Sequence, residues 1–145
     1  MVGGVEAVVF GLLVFVVGIL VIANAWGVID AKMAASAAAR EAARAYVKAP
    51  SADDAPVLAV RAGLDTLSAL GRHDPGNSVA LVSGTFVRCA TVTFRVSVPV
   101  PLIALPWLGG QGHGFTATAR HSEVVDPFRS GVPGDPADQG AANCG

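Results

Sequence analysis

Hydrophobic and polar positions along this chain follow three successive rhythms. The first is an unbroken apolar run: residues 7–29 carry no charged side chain. At about 1.5 Å of rise per helical residue, about 23 residues span about 35 Å, close to the hydrocarbon thickness of a bilayer. A cleaved secretory signal would have a shorter apolar core of about 7–15 residues, with basic residues before it and an A-x-A-like site after it. The run here is longer and follows no Lys or Arg, so the pattern predicts a retained transmembrane helix. The second rhythm begins at Asp30 with A-K-M-A-A-S-A-A-A-R-E-A-A-R-A-Y-V-K, rich in alanine and free of Gly and Pro until Pro50. One helix is expected from near Val5 to near Val47. Arg40, Arg44 and Lys48 make its solvated stripe, and Ala35, Ala38, Ala39, Ala42 and Tyr46 can face a packed surface.

S-A-D-D-A-P then opens a second helix, with Asp53 or Asp54 as its cap and Pro56 in its first turn. Val57, Val60, Leu64 and Leu67 form a narrow apolar seam that ends near Gly71 and should pack on the first helix or on a sheet. From Ser78 the third rhythm takes over, with a period of two. Ala90, Val92, Phe94, Val96 and Val98 point one way, and Thr91, Thr93, Arg95 and Ser97 the other. S-V-A-L-V-S before this strand and G-F-T-A-T-A-R-H-S-E-V-V after it alternate more weakly, and S-G-T after Leu81 and Val82 fits a tight hairpin. The fold class expected is α+β: a long N-terminal transmembrane helix continuing into an exported domain with a second helix and a small antiparallel sheet of about three strands. The corresponding boundaries are a short N-terminal segment at 1–6, the span at 7–29, its continuation at 30–49, the helix-and-sheet domain at 50–126, and a flexible Gly/Pro-rich tail at 127–145.

Composition sharpens this reading. Of 145 residues, 52% are hydrophobic and only 14% charged, more apolar than a soluble domain of this size requires. A net charge of −1 offers no basic surface, so nucleic acid is not an expected partner. Candidate chemistry is sparse: His73, His113 and His121 sit in a turn, a glycine loop and a strand, with no G-x-S-x-G, H-E-x-x-H, C-x-x-C or phosphate-loop spacing nearby. No enzyme activity, cofactor, metal site or small-molecule substrate is expected. Cys89 and Cys144 are a disulfide candidate whose loop of roughly 55 residues would add up to about 4 kcal/mol in the chain-entropy picture. Two free thiols or an intermolecular bridge are the alternatives. The stretch P-V-P-L-I-A-L-P-W-L-G-G-Q-G at 99–112 is broken by prolines and glycines. Its Leu102, Ile103, Leu105, Trp107 and Leu108 are nevertheless too apolar to be left in water. They either fold back over the sheet or contact a partner or the membrane surface.

The ordered set V-E-A-V-V-F-G-L-L-V-F, A-A-S-A-A-A-R-E-A-A-R-A, A-T-V-T-F-R-V-S-V-P-V-P and F-T-A-T-A-R-H-S-E resembles the TadE-like proteins of the Flp/Tad pilus assembly system, which are pseudopilin-like. The resemblance covers about residues 5–125. It implies a non-enzymatic, single-pass cell-membrane component of pilus assembly or related secretion machinery. Its partners would be the membrane and, through the N-terminal helix, other subunits. It also gives Glu6 a role as the subunit-assembly charge, paired with the free N-terminal amine of a neighbouring subunit; two charges that are costly apart in lipid then meet. In such proteins the glutamate is fifth in the processed chain. Here that requires a cut between Met1 and Val2, whereas peptidases of this class cut after glycine behind a basic leader. Lys32, Arg40, Arg44 and Lys48 all follow the span, and the charge rule alone would place the C-terminal domain in the cytoplasm. The resemblance implies an extracytoplasmic domain, and that is the orientation expected. The alternative function is a membrane-tethered extracellular binding module that uses the 99–112 apolar loop.

Overall fold

The computed structural model describes residues 3–100 and 115–128. Its elements are α1 (Gly3–Lys48), α2 (Asp54–Ala69), β1 (Ser78–Ser83), β2 (Thr91–Val100) and β3 (Phe115–Val124). The strands form one antiparallel sheet in the order β1-β2-β3. The architecture is α+β and pilin-like, a long apolar N-terminal helix followed by a second helix and a three-stranded sheet packed against it. Its 46 residues make α1 about 69 Å long.

Only the C-terminal part of α1 has neighbours on the inside of the fold. Ala31, Ala34, Ala35, Ala38, Ala39, Ala42 and Ala43 are 0% to 4% exposed, as is Tyr46, whereas Arg40, Arg44 and Lys48 face outward. Alanine adds no bulk beyond Cβ, so α2 and the sheet both approach the α1 backbone closely. The sheet supplies the larger side chains: Val92, Phe94, Val96, Val98 and Val100 of β2 are all buried, and Thr93, Arg95 and Ser97 alternate with them on the other face. Tyr46 closes the far end of the core. Its ring meets Phe86 edge-on at 5.5 Å and Phe94 at 5.3 Å, and burial pushes its phenol above the usual 10.0.

The core divides along α1, and this fixes which way each element runs. One cluster joins Ala31–39 positions to Leu67, Val96, Val98, Val100, Ala117 and Ala119; the other joins Ala42, Ala43 and Tyr46 to Ala55, Ala59, Phe86, Val92 and Phe94. Both α2 and β2 therefore run back along α1, and the ends of α2 and β2 lie level with the start of the packed region. The 71–77 and 101–114 connections both leave the described elements at that end.

Three sequence expectations need correction. In the proposed α2 seam only Leu67 is buried; Val57, Val60 and Leu64 are 68%, 36% and 39% exposed, and the buried face is Ala55, Ala59, Gly63 and Leu67. The reason is close approach: a Cβ on Gly63 would lie 2.9 Å from Val79 Cγ2 and 3.3 Å from Ala42 Cβ. The helix start is held by Ser51, not by a side chain of Asp53 or Asp54 capping the helix. Ser51 Oγ accepts the Asp54 N–H at 3.2 Å and donates to Asp54 Oδ2 at 2.7 Å. Finally, S-G-T begins a longer connection, 84–90, instead of a tight hairpin. Gly84 turns the chain at φ +91°, where a Cβ would collide with the Thr91 carbonyl oxygen at 2.3 Å. Phe86 then tucks under Tyr46 before β2 begins.

Candidate functional site

The surface with the strongest chemical signature is the first part of α1. Val8, Phe10, Leu12, Phe15, Ile22 and Trp26 are 63% to 71% exposed, and the apolar stretch buries none of its residues in the fold. Val and Ile are mediocre helix formers in water. In hydrocarbon, however, every unsatisfied backbone group costs several kcal/mol, and a helix satisfies them all internally. Asn24, the one polar amide in this stretch, follows the same logic: its Nδ2 donates to the Leu20 carbonyl one turn earlier at 2.8 Å. This helix is long and apolar enough to cross a membrane.

Glu6 lies exposed in the first turn of α1, beside a shallow hollow lined by Val9, Phe10 and Leu13. A carboxylate there also faces the positive end of the helix dipole. Sequence reasoning missed a second feature of the same helix. Gly4, Gly11, Gly18 and Ala25 recur at every seventh position, and the space over each of the three glycines is open. The signal was in the spacing, a heptad of small residues that lets a second helix approach.

The junction between exposed and packed halves is tied twice. Asp30, the first charge after the apolar run, accepts an ion pair from Arg72 in the connection after α2. Lys32 Nζ donates to the Thr118 carbonyl of β3. Asn77 Nδ2 holds the Arg72 carbonyl at 2.9 Å, which steadies the arginine's backbone. One turn before Asp30, a Cβ on Gly27 would come within 3.9 Å of Val100 at the end of β2. The open hollow beside it is lined by Val28, Ile29, Lys32, Met33 and Thr116 to Thr118.

The remaining candidate residues do not converge. Cys89, with φ 61°, is not a free thiol; its N–H donates to Val125 O at 3.0 Å, at the opposite end of the domain from Glu6. Cys144 lies outside the described residues. So do Leu102, Ile103, Leu105, Trp107 and Leu108, together with His113 and the tail beyond Phe128. His73 Nδ1 meets Ser68 Oγ at 3.1 Å, and His121 Nε2 is 3.8 Å from Glu123 Oε2. Among the described residues, no group of three or more His, Cys, Asp or Glu side chains could hold a metal ion. Compared with known protein families, with curated proteins and with solved structures, the chain finds no match.

Proposed function

We propose that the chain is a membrane-anchored, non-enzymatic subunit of a Flp/Tad-type pilus assembly or related secretion machine, a TadE-like minor pilin or pseudopilin. The observation that carries this reading is one continuous helix with two surfaces: an apolar stretch that buries none of its residues in the fold and an alanine stretch locked into a small α+β domain. The first stretch crosses the membrane and stacks beside the same helix of other subunits. Gly4, Gly11, Gly18 and Ala25 form the stacking face, and the second stretch holds the domain outside the cytoplasm as a contact platform. Glu6 pairs with the N-terminal amine of the neighbouring subunit. That amine has an unperturbed pKa of about 7.7–8, so it is mostly protonated near neutrality.

Replacing residues 7–29 with an unrelated leucine helix tests the proposal in the native host. Loss of assembly with the protein still membrane-bound and folded is the expected result. Full assembly with a generic span reduces the helix to a tether and favours the binding-module alternative. Gly18→Leu gives a finer version: subunit crosslinking within the membrane falls while the amount of anchored protein stays unchanged.

A further inference from the structure

We infer that the domain makes a second contact with the lipid surface, through the end of the sheet where β2 leaves and β3 returns. The inference rests on the membrane-spanning reading of α1 and adds to it. The geometry comes from position along one continuous helix. Asp30 is the first charge after the apolar run, so its carboxylate marks the water boundary. Gly27 lies three residues earlier, about 4.5 Å deeper along the axis. Val100 is packed at the level of Gly27, and Val100 is the register partner of Phe115. The end of the sheet therefore sits below the first charge, at headgroup depth, where amphipathic surfaces bury about 5–10 Å into the interface.

The side chains at that level suit lipid. Phe115 shares the helix-facing side of the sheet with Val100, yet it is 62% exposed because its neighbours end there. Beside it, Ile29 and Met33 are 54% and 67% exposed around a hollow they line with Thr116 and with Lys32, whose ammonium donates to the Thr118 carbonyl. Exposed aromatic and aliphatic side chains such as Phe115, Ile29 and Met33 beside a span are the usual composition of a membrane interface. Lipid is thus the occupant favoured by continuity with the apolar helix; a second copy of the chain is the competing one.

Tryptophan quenching in liposomes of phosphatidylcholine brominated on its acyl chains tests this with the full chain. The chain has two tryptophans, Trp26 and Trp107. A Trp107→Phe chain reports Trp26 in the span. A Trp26→Phe/Trp107→Phe chain carrying Phe115→Trp reports the sheet end, and the same background with Phe128→Trp reports the far end, where Phe128 is 82% exposed. The expected result is quenching at position 115 of at least roughly half that at Trp26, with position 128 quenched only by aqueous acrylamide. Acrylamide access at 115 equal to that at 128, without lipid quenching, overturns the inference and leaves the span intact. Protection of 115 from both quenchers that disappears on dilution with lipid assigns the patch to a second copy and also overturns it. Absence of lipid quenching at Trp26 itself removes both readings. An Ile29→Ser/Met33→Ser chain, which leaves the sheet untouched, should weaken quenching at 115 by about twofold.

Discussion

The two halves of α1 obey opposite rules although they share one helix. In the first, the largest side chains point outward: Phe10, Phe15 and Trp26 are 69%, 65% and 71% exposed. In the second, the smallest side chains are the most buried, and Ala35, Ala38, Ala39 and Ala42 are 0% exposed. Water as the solvent for both halves would leave an apolar patch far beyond the few hundred Å² that a soluble monomer exposes. Lipid around the first half removes that conflict, because bulk then gains dispersion contacts with acyl chains while alanine serves a different purpose. Small residues let two partners, α2 and the sheet, reach the same stretch of backbone. Burial in this molecule follows smallness along α1 as far as Tyr46, and bulk on β2.

The largest expected effect breaks the comparison at a phenylalanine. Phe94 is 1% exposed and touches the Tyr46 ring, so Phe94→Ala should destabilise the domain by about 3–5 kcal/mol. Phe15→Ala, at a residue of the same type, should leave the domain's denaturant midpoint unchanged. Denaturant titration of both variants in the same lipid checks this, and equal losses would mean that the first half packs inside the fold. Next in size is a charge placed in the exposed half. Val17→Lys sits near the middle of the apolar run and should disfavour insertion by about 2.5–3.5 kcal/mol. Membrane extraction should then release a large fraction of the protein, with the far-ultraviolet signature of the domain retained.

The same contrast explains what could be read from the residues. The alanine face of α1 was legible because Arg40, Arg44 and Lys48 mark the opposite side, and one stripe determines the other on a helix. The alternation of β2 was legible because it is half-buried, with Val92 to Val100 on one face only. The α2 face was misread because hydrophobicity scores reward size, and Val57, Val60 and Leu64 outscore Ala55, Ala59 and Gly63. What decides the buried side there is the room beside Ala42 and Val79, which no local pattern records. Likewise Gly84 announced a turn correctly but not its length, because the 84–90 connection is set by Phe86 finding Tyr46 at a distance in sequence. Glu6 was legible as a charge at the mouth of the run. The heptad of small residues that shares its helix was equally visible and needed only a longer period to be sought.

A third experiment inverts the size rule. Ala38→Leu places three extra carbons where α1 is fully buried between its neighbours, and overpacking should cost the domain about 1–3 kcal/mol. Leu13→Ala makes the reverse change in the exposed half, where the side chain is 56% exposed, and should leave the domain's stability unaltered. Thermal midpoints of the two variants measure the difference. A stable Ala38→Leu domain would show that the close approach of α2 and the sheet is not required.

The smallest effect is also the most selective, because it reports the packed half without changing its shape. Tyr46 is the chain's one tyrosine, so its ionisation can be followed directly by phenolate absorbance. Burial against Phe86 and Phe94 disfavours the charged form and raises its pKa above 10.0. The sign follows: the neutral phenol is favoured in the folded state, so the folded chain holds its proton where the unfolded chain has begun to lose it. That difference leaves stability intact below the unfolded pKa and erodes it as pH rises from about 10 through the folded value. Absorbance titration should therefore give a midpoint above that of the urea-unfolded chain, and Tyr46→Phe should flatten the loss of stability at high pH. Exchanging the lipid around the first half for detergent should not move the midpoint, since Tyr46 is packed among domain residues. A midpoint that follows the lipid would place Tyr46 in contact with the membrane and join the two halves of α1 that the fold keeps apart.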